Sequence, residues 1–108
     1  MKIYNKLVRD RIPEIIEAEG KKATVRVLDE VEYRKALLEK LVEEAQEAHV
    51  TRGDSNELAK EIGDVLEVVD ALVSAFGLDR NGIEELKKNR REKRGGFKKK
   101  LFLESAEE

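Results

Sequence analysis

With 108 residues the chain holds one small domain and little more. It contains no cysteine, which excludes a disulfide framework and a thiolate metal site. Charged residues make up 43% of it, yet the formal net charge is only -2, so most charges read as a solvated surface of helical pairs. No apolar run approaches the roughly 20 residues of a membrane span. The charged opening MKIYNKLVRDR has no apolar stretch of the kind a signal peptide needs. Cytoplasmic residence without a membrane partner is the expectation. One proline, two tyrosines and no tryptophan make a thin core, which oligomerisation would help.

In chain order, residues 1–8 read as a short extended N-terminal arm. Asp10 is expected to cap a short helix to about Glu19, with Pro13 in its first turn and Gly20 as its stop. Residues 23–28 alternate, with Val25 and Val27 on one side and Arg26 on the other, giving a short strand or an extended connector. Asp29 with Glu32 three residues on is a capping-box start. The helix it opens runs to about Thr51, with Tyr33, Leu37, Leu41, Ala45 and Ala48 as its apolar stripe. Gly53 ends it. Asp54 and Glu57 open the next, to about Phe76, whose stripe is Leu58, Ile62, Val65, Val69, Leu72, Val73 and Phe76. After Gly77, Asp79 or Asn81 opens a further helix to about Arg94, closed by Gly95-Gly96. The tail from Phe97 is expected to be extended in part, with frayed acidic residues at its end.

The chemistry gathers around the turn at Arg52-Gly53-Asp54. Glu43, Glu44 and Glu47 precede it; Glu61 and Asp64 follow it. The pairs 44–64 and 47–61 are both centred on Asp54. If the flanking helices are antiparallel, Glu44 faces Asp64 and Glu47 faces Glu61. At about 100° per residue, Glu44 falls inside the apolar stripe, Glu47 about 60° to its flank, and Glu43 about 100° away. Glu61 and Asp64 share a face with Val68, Ala71 and Ala75. Asp70 falls on the opposite flank and is left out of the set. Surface acids on a helical scaffold are the plain alternative. Acids set in apolar faces are costly to ionise, and sharing a divalent cation relieves them. Oxygen ligands suit Mg²⁺, with Mn²⁺ as the alternative; zinc fits less well, because cysteine is absent and His49 is alone.

EEAQE at 43–47 followed by EIGD at 61–64 resembles the EExxE…ExxD signature of the all-α nucleoside triphosphate pyrophosphohydrolases. The opening YNKLVRDRIPEII and the later KRGGF resemble a MazG-like, house-cleaning branch of that superfamily, and the resemblance covers nearly the whole chain. It implies one MazG-like domain that hydrolyses a nucleoside triphosphate between its α- and β-phosphates, giving the monophosphate and pyrophosphate. Carried over, Glu44, Glu47, Glu61 and Asp64 would hold Mg²⁺. Glu44 would thereby serve catalysis, with Glu43 beside it as an outer ligand or orienter of water. Bound metal would neutralise developing charge and activate the attacking water.

A triphosphate also needs cationic donors. Lys6, Arg9 and Arg11 on the N-terminal arm are one set. Lys93 and Arg94 at the end of the third substantial helix, with Phe97 to stack on a base, are the other. A basic helix end complementing its own dipole, and a glycine pair acting only as a cap, are the competing readings of that second set. Nucleic-acid binding by the basic stretch 87–100 is a rival function, weakened by the slightly acidic chain and the lack of a groove-reading motif. A regulatory dimerisation module with a degenerate site is another. The expected fold is all-α, with the two long helices as a hairpin that a second copy completes into a four-helix-like bundle.

Overall fold

A computed structural model describes residues 1–107. These form four helices and no strand: α1 (Ile12–Ala18), α2 (Glu30–Val50), α3 (Ser55–Ala75) and α4 (Arg80–Arg94). The all-α expectation holds. No helix among the described residues is long and apolar enough to cross a membrane. The chain divides into two compact units, Met1–Gly77 and a second that begins at Leu78.

In the first unit, α1 starts one residue later than a cap at Asp10 would require. Arg11 is the N-cap and makes no side-chain cap bond. The reason lies in Pro13. A capping Asp10 would bond the N–H groups of the first turn, and Pro13 supplies none. Arg11 instead forks onto Glu14, at 3.3 Å through Nε and 3.0 Å through Nη2.

Residues 21–29 form a connector, not a strand. Arg26 ties it to the start of α2 with two bonds to Glu32, at 2.9 and 3.3 Å. That guanidinium, with help from the Asp29 backbone, holds the Glu32 carboxyl below its usual range. Asp29 accepts from the Glu32 N–H at 2.8 Å, satisfying one of the donors that a helix start leaves open.

The hairpin turn is built locally. Thr51 Oγ1 donates to the Ala48 carbonyl at 2.8 Å. Arg52 and Gly53 then take left-handed conformations in succession, at φ 53° and 84°. Asp54 accepts from the Glu57 N–H at 3.2 Å and starts α3. At the far end, Arg34 Nε donates to the Ala75 carbonyl at 3.0 Å, and its guanidinium lies 5.3 Å from the centre of the Phe76 ring. One cation thus satisfies an orphan carbonyl, complements the α3 dipole and packs on an aromatic face.

α2 and α3 pack on each other along a face that centres on Leu37, Glu44 and Val68, the three buried residues among those described. On α3 this is the acid-bearing face. Ala71 and Ala75 continue it, half-buried. Their small side chains allow a close approach. Of the stripe expected from hydropathy, Leu58, Val65, Val69, Leu72 and Val73 are half-buried. Ile62 and Phe76 remain exposed. One side of the hairpin therefore keeps large apolar groups in solvent: Leu38 and Val42 on α2, Ile62 and Leu66 on α3. The spacing about Asp54 sets Val42 level with Leu66.

In the second unit, Asp79 is the cap of α4, accepting from the Asn81 N–H at 3.1 Å; Asn81 itself lies within the first turn. Arg91, Lys93 and Arg94 fill the last turn. Gly95, at φ 82°, closes it by donating to the Arg91 carbonyl at 2.8 Å. A turn follows, in which the Lys100 N–H reaches the Phe97 carbonyl at 3.1 Å. Residues 101–107 have no regular structure.

Candidate metal centre

Glu44 sits where α2 and α3 touch, and its burial follows from its place between Leu37 and Ala48 on the packed stripe. Glu61 and Asp64 reach the same point from the first half of α3. Each of the three offers a carboxylate oxygen, and these oxygens lie within 4.8 Å of one another. Glu44 is 7% exposed, and its Oε2 has no hydrogen-bond partner; neither has the buried Oε2 of Glu61. Unpartnered buried oxygens are uncommon in a settled fold and costly where they occur.

The electrostatics match this geometry. Burial, the Glu47 charge and, less strongly, Asp64 push the Glu44 carboxyl above its usual range, while Lys40 opposes them. Lys40 belongs to α2 and is largely buried. Its Nζ lies 3.0 Å from Glu43 Oε2 and 3.5 Å from Glu44 Oε1. Two further cations arrive from the segment before α1. Lys6 Nζ donates to Glu43 Oε1 at 2.8 Å, and Arg9 Nη2 to Asp64 Oδ1 at 2.7 Å. The Lys6 bond holds Glu43 below the carboxylate range, and Glu43 raises Lys6 in return.

Of the acids expected from sequence, Glu44, Glu61 and Asp64 converge. Glu47 stands exposed one turn from Glu44, outside the converging set. Glu44 meets both acids of α3. Glu43 is half-buried and engaged by two ammonium groups. Among the expected cations, Lys6 and Arg9 reach the cluster and Arg11 is bound to Glu14. Lys93, Arg94 and Phe97 belong to the second unit and are exposed. His49 is exposed at the hairpin end.

Lys40 escaped the sequence reading. Its only signal was position, three and four residues before Glu43 and Glu44, which is also the spacing of an ordinary surface pair. A groove of about 320 Å³ adjoins the acids. Leu7, Val8, Leu37 and Val68 are among the residues that line it.

The donors are all oxygens, and the unpartnered pair is buried. These residues fit a hard divalent cation such as Mg²⁺ or Mn²⁺, which accepts carboxylate ligands.

The chain is similar to an uncharacterized protein of Mycolicibacterium smegmatis, with 46% identity over 57 residues. That match covers 53% of this chain and 56% of that protein, so the chain spans little more than half of its relative's length. No family model matches the chain, and no solved structure matches it.

Proposed function

We propose that this protein is a metal-dependent nucleoside triphosphate pyrophosphohydrolase of the all-α, MazG-like kind. It hydrolyses the α–β phosphoanhydride with one water, releasing the monophosphate and pyrophosphate. The observation that carries this reading is the pair of buried, unpartnered oxygens on Glu44 and Glu61 beside Asp64. An acid cluster with a merely solvated role would have turned those oxygens to water.

Glu44, Glu61 and Asp64 hold the metal, with Glu47 completing the set by a side-chain rotation. Bound metal neutralises charge on the phosphate oxygens and lowers the pKa of water. Glu43 orients water next to Glu44. Lys6 and Arg9 donate to the phosphates from the segment before α1, Arg9 through a fork suited to phosphate oxygens. The groove beside Leu37 and Val68 receives apolar parts of the substrate.

A second copy covers the open side of the hairpin. Leu38 is 51% exposed, Val42 57%, Ile62 47% and Leu66 54%, large apolar groups left in solvent on both packed helices. Exposed apolar surface of this kind marks an interface. Two hairpins packed there make the four-helix bundle.

The test is pyrophosphate release from canonical and damaged ribo- and deoxyribonucleotides with Mg²⁺ or Mn²⁺. Wild-type protein should turn over at least one of them, and chelator should stop it. Glu44→Gln and Glu61→Gln should be inactive while remaining folded. Full activity in either variant would overturn these assignments. Salt-sensitive DNA binding with no pyrophosphate released from any nucleotide would point instead to a nucleic-acid role.

A further inference from the structure

Cations that lie far from the cluster in sequence are docked on it. Lys6 spans 37 positions to reach Glu43, and Arg9 spans 55 to reach Asp64. Arg9 is the only one of the two that holds a member of the converging triad. Its Nη2 sits 2.7 Å from Asp64 Oδ1. A carboxylate oxygen engaged by a guanidinium does not serve a metal in the same place. Glu44 Oε2 and Glu61 Oε2 remain without partners. Glu44 and Glu61 thus each keep one open oxygen, while Asp64 is held at Oδ1.

The same segment walls the groove. Leu7, Val8, Arg9 and Asp10 all line it, together with Leu37 and Val68. The contact that keeps Arg9 on Asp64 therefore also keeps the segment across the groove. It is an exposed pair, with the Arg9 side chain 57% and the Asp64 side chain 40% accessible. Pairs of this kind are weak and readily exchanged.

Resting on the metal-site reading above, we propose that residues 6–10 form a strap that exchanges with the metal. Arg9 occupies Asp64 in the metal-free protein and gives it up when a divalent cation is bound. Release of Arg9 loosens the strap over the groove and frees its guanidinium for an incoming phosphate. Lys6 lies on Glu43, outside the converging triad, so metal alone does not displace it, and it serves as the strap's hinge point. Lys40 keeps Glu43 and Glu44 partly neutralised throughout, because it comes from α2 itself and does not leave with the strap. Metal and strap are then linked reciprocally: each weakens the other by the same factor.

The experiment is Mn²⁺ titration followed by electron paramagnetic resonance of the free ion, on wild type, Arg9→Gln and Arg26→Gln. Arg26 pairs with Glu32 and removes the same charge away from the cluster. Arg9→Gln should bind Mn²⁺ tighter by roughly two- to five-fold, the range an exposed ion pair can supply. Arg26→Gln should match wild type. Hydrogen–deuterium exchange of the peptide covering residues 4–11 supplies the second readout. It should quicken in wild type on Mn²⁺ saturation and should already be fast in metal-free Arg9→Gln. Wild-type binding with equal affinity in Arg9→Gln, or with slower exchange in the strap when metal is bound, would overturn the exchange while leaving the metal site standing. Absence of Mn²⁺ binding in wild type would overturn both.

Discussion

Glu44→Gln should stabilise the metal-free protein. The wild-type carboxylate is buried, has one oxygen without a partner, and lies beside Glu47 and Asp64. Leaving a buried polar group unsatisfied costs about 1–3 kcal/mol. The compensating contact is Lys40 at 3.5 Å, a long pair of the kind that contributes about 0–1 kcal/mol. An uncharged amide removes the repulsion, and its N–H groups can donate to Asp64 or Glu61. The expected net gain is about 1 kcal/mol, which raises the melting temperature by about 4–8 °C in a domain of this size. The pH dependence has a definite sign. The folded-state pKa is raised above the ordinary 4.5, so the ionised group destabilises the fold at higher pH. As pH falls through the folded value towards 4.5, wild type recovers that stability and the advantage of glutamine shrinks. Metal should reverse the order at pH 7. Wild type gains about 1.4 kcal/mol at a metal concentration about ten times Kd, while a variant that no longer binds gains nothing. Urea unfolding in chelator and in Mg²⁺, at pH 5 and pH 7, measures all of this. A Glu44→Gln protein less stable than wild type in chelator at pH 7 would refute the reasoning.

Gly53→Ala and Gly63→Ala should shift stability in opposite directions, although neither added methyl meets an atom within 4 Å. Gly53 sits at φ 84°, so alanine there should cost about 1–2 kcal/mol; Gly63 lies inside α3, where alanine should gain about 0.5–1 kcal/mol. Denaturant midpoints decide both. The Lys6–Glu43 pair should lose its contribution at both ends of the pH scale. Lys6 is raised, so its share is complete below 10.5 and lost as pH rises through the folded value. Glu43 is lowered, so its share is present above 4.5 and lost as pH falls through its folded value. Both groups are partly exposed, so the total should not exceed about 1 kcal/mol, and Lys6→Gln should flatten the profile in pH-dependent unfolding. Leu66→Glu should turn a wild-type dimer or larger assembly into monomers by sedimentation velocity; a monomeric wild type would remove the proposed bundle.

The helices were legible where their signals are local. Asp29 with Glu32 and Asp54 with Glu57 fix the two long starts, and Gly53 and Gly77 close them, all within a few residues. Asp10 failed because Pro13 removes a donor that a cap needs. Glu44 was legible because helical periodicity places it on the packed stripe. That Glu44 meets Glu61 as well as Asp64 was not, because equal spacing about a turn fixes level but not rotation. Helix α3 carries two apolar faces, and hydropathy favours the one rich in large residues. The chain buries Val68 on the alanine-bearing face and half-buries most of the other, so the covered surface of α3 takes in parts of both. The Arg9–Asp64 and Lys6–Glu43 contacts join segments too distant for any periodic pattern to specify. Lys40 was visible as a residue but indistinguishable from a surface partner until its burial was known.

In the proposed activity, the carboxylates at the α2–α3 crossing bind a divalent metal that serves to split a nucleotide between its first two phosphates. Phosphorus NMR of a nucleotide mixture incubated with the protein and Mg²⁺ tests it most directly, because it resolves which bond breaks. Nucleoside monophosphate and pyrophosphate signals should grow together, and neither should appear in chelator or with Glu61→Gln. Orthophosphate with nucleoside diphosphate, or an unchanged spectrum across the whole nucleotide panel, would contradict it.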